Sequence, residues 1–267
     1  MGRDILERPA PAADARLSYG TDASQFGDIR IPKGPGPHPL AVVIHGGFWR
    51  AKYGLEYMGH LCAAFAGLGL ATWNIEYRRI GNPGGGWPNT FLDAAAGADY
   101  VRELAKKYPL DPKRVITIGH SAGGHLALWL AARSRIPAGD PLAGRDPITI
   151  HGAAPIAGVV DLRRAWELRL SDGVVDELMG GPPAKLAQRY HAGSPIELAP
   201  IGGRVRLLHG TNDSVVPIEL SNNYQKAATR AGDDARMVVL PGADHFAPVD
   251  PSTEHWPTVD KTIESLL

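Results

Sequence analysis

The 267-residue sequence is short of several things, and each shortage excludes a class of protein. Cysteine occurs once, as Cys62, so no disulfide can form within the chain. That usage fits a reducing, cytoplasmic compartment. Neither sign of charge is in excess: 28 Lys and Arg balance 28 Asp and Glu. A neutral chain has no field that gathers phosphate backbones or anionic lipid, so nucleic acid and membrane are not expected partners. Long hydrophobic runs are missing too. Residues 61–73 are apolar, but too few and too broken by glycine to span a bilayer. Residues 1–15 carry charge throughout and lack the apolar heart of a signal peptide. There is no H-E-x-x-H, no Walker A loop and no G-x-G-x-x-G after a strand. One cysteine cannot build a thiolate zinc site. Neither metal nor cofactor is expected, and no repeat or low-complexity segment is visible.

What is present is a globular balance, 44% apolar and 21% charged. A single α/β domain over 1–267 accommodates this length and buries roughly 70–75% of the unfolded surface. Short apolar runs at 40–44, 70–75, 115–118, within 148–160, and at 205–208 and 237–240 read as buried strands. Helical spacing fills 90–108, 122–133, 218–231 and the segment from 256. Alternation of this kind predicts a mostly parallel central sheet covered by helices on both faces. Residues 16–19 and 26–31 predict an antiparallel hairpin at one edge. Residues 163–203 interrupt the rhythm with Trp166, prolines and glycines. They are expected to form a cap-like insertion over one end of the sheet and to shape a pocket.

The pattern G-H-S-A-G at 119–123 is weak alone, but it joins a strand directly to a helix. Small residues on both sides of Ser121 permit the tight turn that lifts its hydroxyl above the sheet edge. The helix behind supplies free N–H groups and a positive dipole end. H-G-G-F-W at 45–49 follows another strand, and its glycines allow backbone N–H groups to face a developing oxyanion. A serine needs a base, and a base needs an orienting acid. Asp213 and His245 each lie just past a strand, where open α/β sheets place their sites. Asp161, after the strand within 148–160, is the reserve acid, and Asp244 is read as loop chemistry. His45 is expected to hold its loop, and Glu76 to Arg79 to form a structural polar cluster. Gly84 to Trp87 reads as a flexible loop near the site. Arg163, Arg164 and Arg169 read as a solvated face, with an acidic substrate as the alternative.

HGGFW, GHSAG, the Asp213 loop and the His245 loop, in that order, resemble the α/β-hydrolase fold from about residue 16 onward. The H-G-G-x-W form is similar to the kynurenine formamidase (arylformamidase) branch. It is also similar to small bacterial acetyl, feruloyl and acetylxylan esterases related to the hormone-sensitive-lipase group. The resemblance implies Ser121 as nucleophile, Asp213 as acid, His245 as base, and the Gly46, Gly47 and Ala122 amides as oxyanion donors. Phe48, Trp49, Trp87, His120 and Phe246 are expected around the substrate, with Trp49 serving as pocket wall or loop packing. The expected reaction is hydrolysis of a small-molecule carboxylic ester by a monomer or homodimer. An arylformamidase acting on the formamide of N-formylkynurenine is the alternative, then an amidase or peptidase, then a binding protein that has lost catalysis.

Overall fold

A computed structural model describes residues 2–267. Among them, eight strands form one sheet. They are β1 (Ala15–Ser18), β2 (Phe26–Arg30), β3 (His38–Ile44), β4 (Ala71–Ile75), β5 (Leu110–His120), β6 (Gly152–Ile156), β7 (Arg204–Gly210) and β8 (Asp234–Leu240). Their spatial order is β1-β2-β4-β3-β5-β6-β7-β8. The hairpin β1–β2 is antiparallel and joins β4 antiparallel, while β4, β3 and β5 to β8 run parallel. The expected edge hairpin and the mostly parallel sheet are both present.

The period of two along β3 makes two cores. Leu40, Val42 and Ile44 enter one cluster with Leu126, Trp129 and Tyr224. Ala41 and Val43 enter the other with Phe65, Val259 and Ile263. Helices α1 (Gly59–Gly67) and α9 (Trp256–Glu264) cover the second face. On the first lie α2 (Asn89–Asp99), α3 (Val101–Lys107), α4 (Ala122–Ala132) and α8 (Glu219–Arg230). Ten of the eleven α4 residues are buried, which is why this helix is apolar all round. Fully burying a side chain such as Leu126 contributes about 1.5–3 kcal/mol. The single helix expected over 90–108 is two. The chain tightens at Tyr100 (φ −62°, ψ −15°), where the Asp99 carboxylate takes hydrogen bonds from Arg133 and from the Ile148 N–H.

Between β6 and β7 lie α5 (Leu162–Glu167), α6 (Leu170–Met179) and α7 (Ala187–Gly193). The Trp129 indole donates to Ala192 O and the His125 ring to Gly193 O, so this segment is fastened to α4. No described helix is long and apolar enough to cross a membrane. Strand register sets the site: Ile44 is level with both Ile75 and Gly119, Gly119 with Pro155, and Gly210 with Leu240. The loops that follow these strands therefore emerge along one edge.

Candidate active site

Ser121 occupies the turn between β5 and α4 with φ 56° and ψ −118°, a conformation costly for a residue with a Cβ. Its backbone is pinned there: the Ser121 N–H donates to Ile156 O at 2.8 Å, and Ser121 O accepts from His125 N–H at 3.1 Å. Glycine two residues on is obligatory, because a Cβ on Gly123 would lie 2.1 Å from Ile44 O. Ser121 is thus a strained residue held from both sides, at the rim of a cavity of about 90 Å³.

His245 reaches the same cavity from the loop after β8. Its Nδ1 donates to Asp213 Oδ2 at 2.7 Å, which leaves Nε2 without a protein partner among the described residues. Asp213, on the loop after β7, is a fully engaged carboxylate. Oδ1 accepts from the Val215 and Val216 N–H groups at 2.8 and 2.9 Å, and Oδ2 lies 3.3 Å from His209 Nε2. Burial alone would raise its pKa, but hydrogen bonds from His209 and His245 outweigh it and hold Asp213 well below the usual carboxylate range. An ionised Asp213 fixes the His245 tautomer.

The loop after β3 supplies the cavity's other side. Gly47 takes φ 107°, and Phe48 beside it lines the cavity. The Gly47 and Ala122 N–H groups meet no acceptor among the described residues and so remain able to donate to a ligand. Gly46 departs from expectation. Its N–H donates to the Tyr57 hydroxyl at 2.6 Å, so that amide is already spent. The His45 ring sits between Gly46 O and Glu76 Oε1, both at 2.8 Å, and Tyr77 stacks on it at 4.6 Å. This arrangement braces the loop. Burial would raise the Glu76 pKa, but His45 and Arg79 bring it below the usual carboxylate value.

The cavity is lined by Leu6, Gly47, Phe48, Tyr53, Tyr57, His120, Ser121, Val215, His245 and Phe246. Of the residues expected around a substrate, Phe48, His120 and Phe246 line it. Trp49 and Trp87 do not. Trp49 is fully buried against His125, as loop packing, and Trp87 packs on Phe91 at 5.4 Å. The loop at 84–86 is likewise off the cavity, tied down by Asn89 and Thr90. No residue of 163–203 lines the cavity, contrary to the expectation that this segment shapes it. Its helix α7 fastens to α4, and two of its arginines are paired: Arg163 with Glu197, Arg164 with Glu167 and Glu219. Asp161 caps α5 by accepting from the Arg164 N–H at 2.9 Å and makes no bond to His245.

Sequence reasoning missed Leu6, Tyr53, Tyr57 and Val215. Leu6 comes from a 3-10 turn (Gly2–Leu6) that Ile5 anchors in the core and that the Arg8–Asp250 ion pair ties to the chain beyond His245. No pattern signals such a contact. Tyr57 offered a weak signal, as a tyrosine just beyond the H-G-G loop. Among the described residues, no group of three or more His, Cys, Asp or Glu could hold a metal ion.

A sheet of this order, with a strained serine after β5 and an Asp–His pair after β7 and β8, defines the α/β-hydrolase fold. A truncated carbohydrate esterase from gut microbiota superposes with a TM-score of 0.81 at 22% identity, covering 97% of this chain and 99% of that one. The propionate-bound esterase Est2 of Thermogutta terrifontis superposes with a TM-score of 0.72 at 24% identity, over 96% of this chain and 92% of that one. The chain belongs to the BD-FAE family, whose model matches residues 28–227. It is similar to the probable carboxylic ester hydrolase LipM of Mycobacterium tuberculosis, at 27% identity over 80% of this chain and 51% of that protein. A probable isoprenylcysteine alpha-carbonyl methylesterase, ICME, of Oryza sativa is 26% identical over 85% of this chain and 56% of its own length. The chain spans about half the length of these curated relatives.

Proposed function

We propose that this chain is a serine hydrolase that cleaves small carboxylic esters through an acyl-enzyme. Ser121 Oγ attacks the ester carbonyl while His245 Nε2 takes its proton. The oxyanion forms against the Gly47 and Ala122 amides, and Gly46 is left out of that set. His245 returns the proton to the departing alcohol, then activates the water that releases the acid and restores Ser121. Asp213 holds the ring and stabilises its charged form. The observation that carries the reading is the 2.7 Å Asp213–His245 bond opening onto the same cavity as the strained Ser121. The similarity to a carboxylic ester hydrolase and to a methylesterase favours an ester over an amide. The cavity is small, about 90 Å³, which suits a short acyl group.

The test is kcat/KM for p-nitrophenyl acetate and for N-formyl-L-kynurenine on one preparation, with Ser121→Ala as the blank. Ester turnover well above the blank, with formylkynurenine near it, supports the reading. Formylkynurenine turnover near 10⁴ M⁻¹s⁻¹ or more, the lower end of usual enzyme efficiencies, makes it a formamidase instead. Undiminished turnover by Ser121→Ala overturns the scheme.

A further inference from the structure

We infer that Tyr57 and His120 are positioning residues that lock the H-G-G loop, the serine turn and the His245 loop into one arrangement. The inference rests on the esterase reading only for its kinetic arm.

Each hydrogen in the linkage can be assigned. His120 Nε2 lies 2.9 Å from the His245 carbonyl oxygen, which can only accept, so Nε2 carries a hydrogen. The ring is almost wholly buried. Burial, and then the neighbouring His245, lower its pKa well below the ordinary histidine value, so it is neutral. A neutral ring with hydrogen on Nε2 has a bare Nδ1. The Tyr57 hydroxyl, 2.8 Å away, must therefore donate to it. The hydroxyl's lone pair in turn accepts the Gly46 N–H at 2.6 Å. Donation runs in one direction, from Gly46 through Tyr57 and His120 to His245 O. Such chains polarise one another in a low-dielectric interior.

The residues tied are the neighbours of those that would act. Gly46 precedes the Gly47 amide, His120 precedes Ser121, and the accepting carbonyl is that of His245 itself. The His120 and His245 rings lie 4.5 Å apart at 44°. A neutral His120 adds no like-charge repulsion when His245 takes up the serine proton. Tyr57 is seated edge-on to His120 and Phe246, at 5.7 and 6.3 Å, so its ring packing survives loss of the hydroxyl.

Two measurements test this. The first compares Tyr57→Phe, His120→Leu and their double variant with the parent on p-nitrophenyl acetate. Tyr57→Phe should lower kcat by about 5- to 100-fold, the effect of orphaning buried polar groups, with KM within about twofold. The double variant should be no slower than His120→Leu alone, because one linkage is broken in both. His120→Asn keeps an acceptor near Nδ1 and should recover part of the loss. A kcat for Tyr57→Phe within about twofold of the parent, or losses that multiply in the double variant, overturns the inference. The second is ¹⁵N NMR of histidine-labelled protein, which needs no substrate. His120 should remain a neutral Nε2–H tautomer from about pH 5 to 8, with Asp213, His209 and His245 as its charged or titratable neighbours. A His120 that carries its hydrogen on Nδ1, or titrates in that range, overturns the inference. An inactive parent with the tautomer intact would count against the esterase reading alone.

Discussion

Gly46 and Ser121 are pressed together: a Cβ on Gly46 would lie 2.9 Å from the Ser121 Cβ and 2.8 Å from the His120 carbonyl oxygen. The nearer obstacle is backbone, so it cannot swing aside. Gly46→Ala should displace the serine turn or the H-G-G loop by a fraction of an ångström to an ångström. A misplacement of that size costs about 100-fold in turnover. Steady-state kinetics on the folded variant check it, and near-parental kcat would show that the turn yields more easily than its packing implies.

Asp213 and Asp161 separate in a paired experiment. Asp213→Asn should lower kcat by about 10⁴, since an amide no longer selects the His245 tautomer. Asp161→Asn should leave kcat unchanged, because asparagine also caps helices well. Asp161→Ala should cost about 1 kcal/mol of stability without touching the chemistry. Reversal of the two kinetic outcomes would move the acid to Asp161.

Stability should fall with acid in a window set by buried histidines. Burial pushes the His125 pKa down to about 4, against roughly 6.5 in an unfolded chain. Between those values the unfolded chain binds a proton that the folded one does not. The contribution is therefore complete above about pH 6.5, is lost as pH falls to about 4, and changes no further below that. His125 alone accounts for about 3 kcal/mol, and His120 acts in the same direction. Asp213 lies outside this window: its pKa is depressed, so its share is present above the ordinary carboxylate pKa and disappears only at lower pH. Urea unfolding at about pH 7.5 and 4.5 should show a smaller difference for His125→Gln than for the parent. Equal differences would remove His125 from the account.

Leu6 should set acyl length. Replacing it by alanine removes wall from a 90 Å³ cavity without touching Ser121, Asp213 or His245. The ratio of kcat/KM for p-nitrophenyl butyrate to that for the acetate should rise about tenfold, the worth of a methylene or two in a pocket. An unchanged ratio would show that the longer chain leaves by another route.

Much of this was legible in the sequence because it is local. G-H-S-A-G between strand and helix fixes Ser121 through the sterics of one turn, and strand C-termini place Asp213 and His245. The illegible part depends on contacts between distant segments. Gly46 reads as a donor until the Tyr57 hydroxyl, eleven residues on, is seen to take its N–H. Leu6 acquires its place through an ion pair spanning 242 residues. Trp49 and Trp87 are large aromatics next to glycine loops, a pattern as compatible with packing as with a pocket. The 163–203 segment has weak periodicity because α6 contains three consecutive left-handed residues, Ser171 to Gly173.

Cys62, the lone thiol, is wholly buried in α1, and burial pushes its pKa up to about 12. Maleimides and disulfide exchange should therefore not reach it in the native chain. Its labelling rate is a clock for opening of the α1 face, readable without substrate or optical probe. The same burial makes the chain a clean background: a cysteine introduced on an exposed loop would be the single address for a dye or spin label.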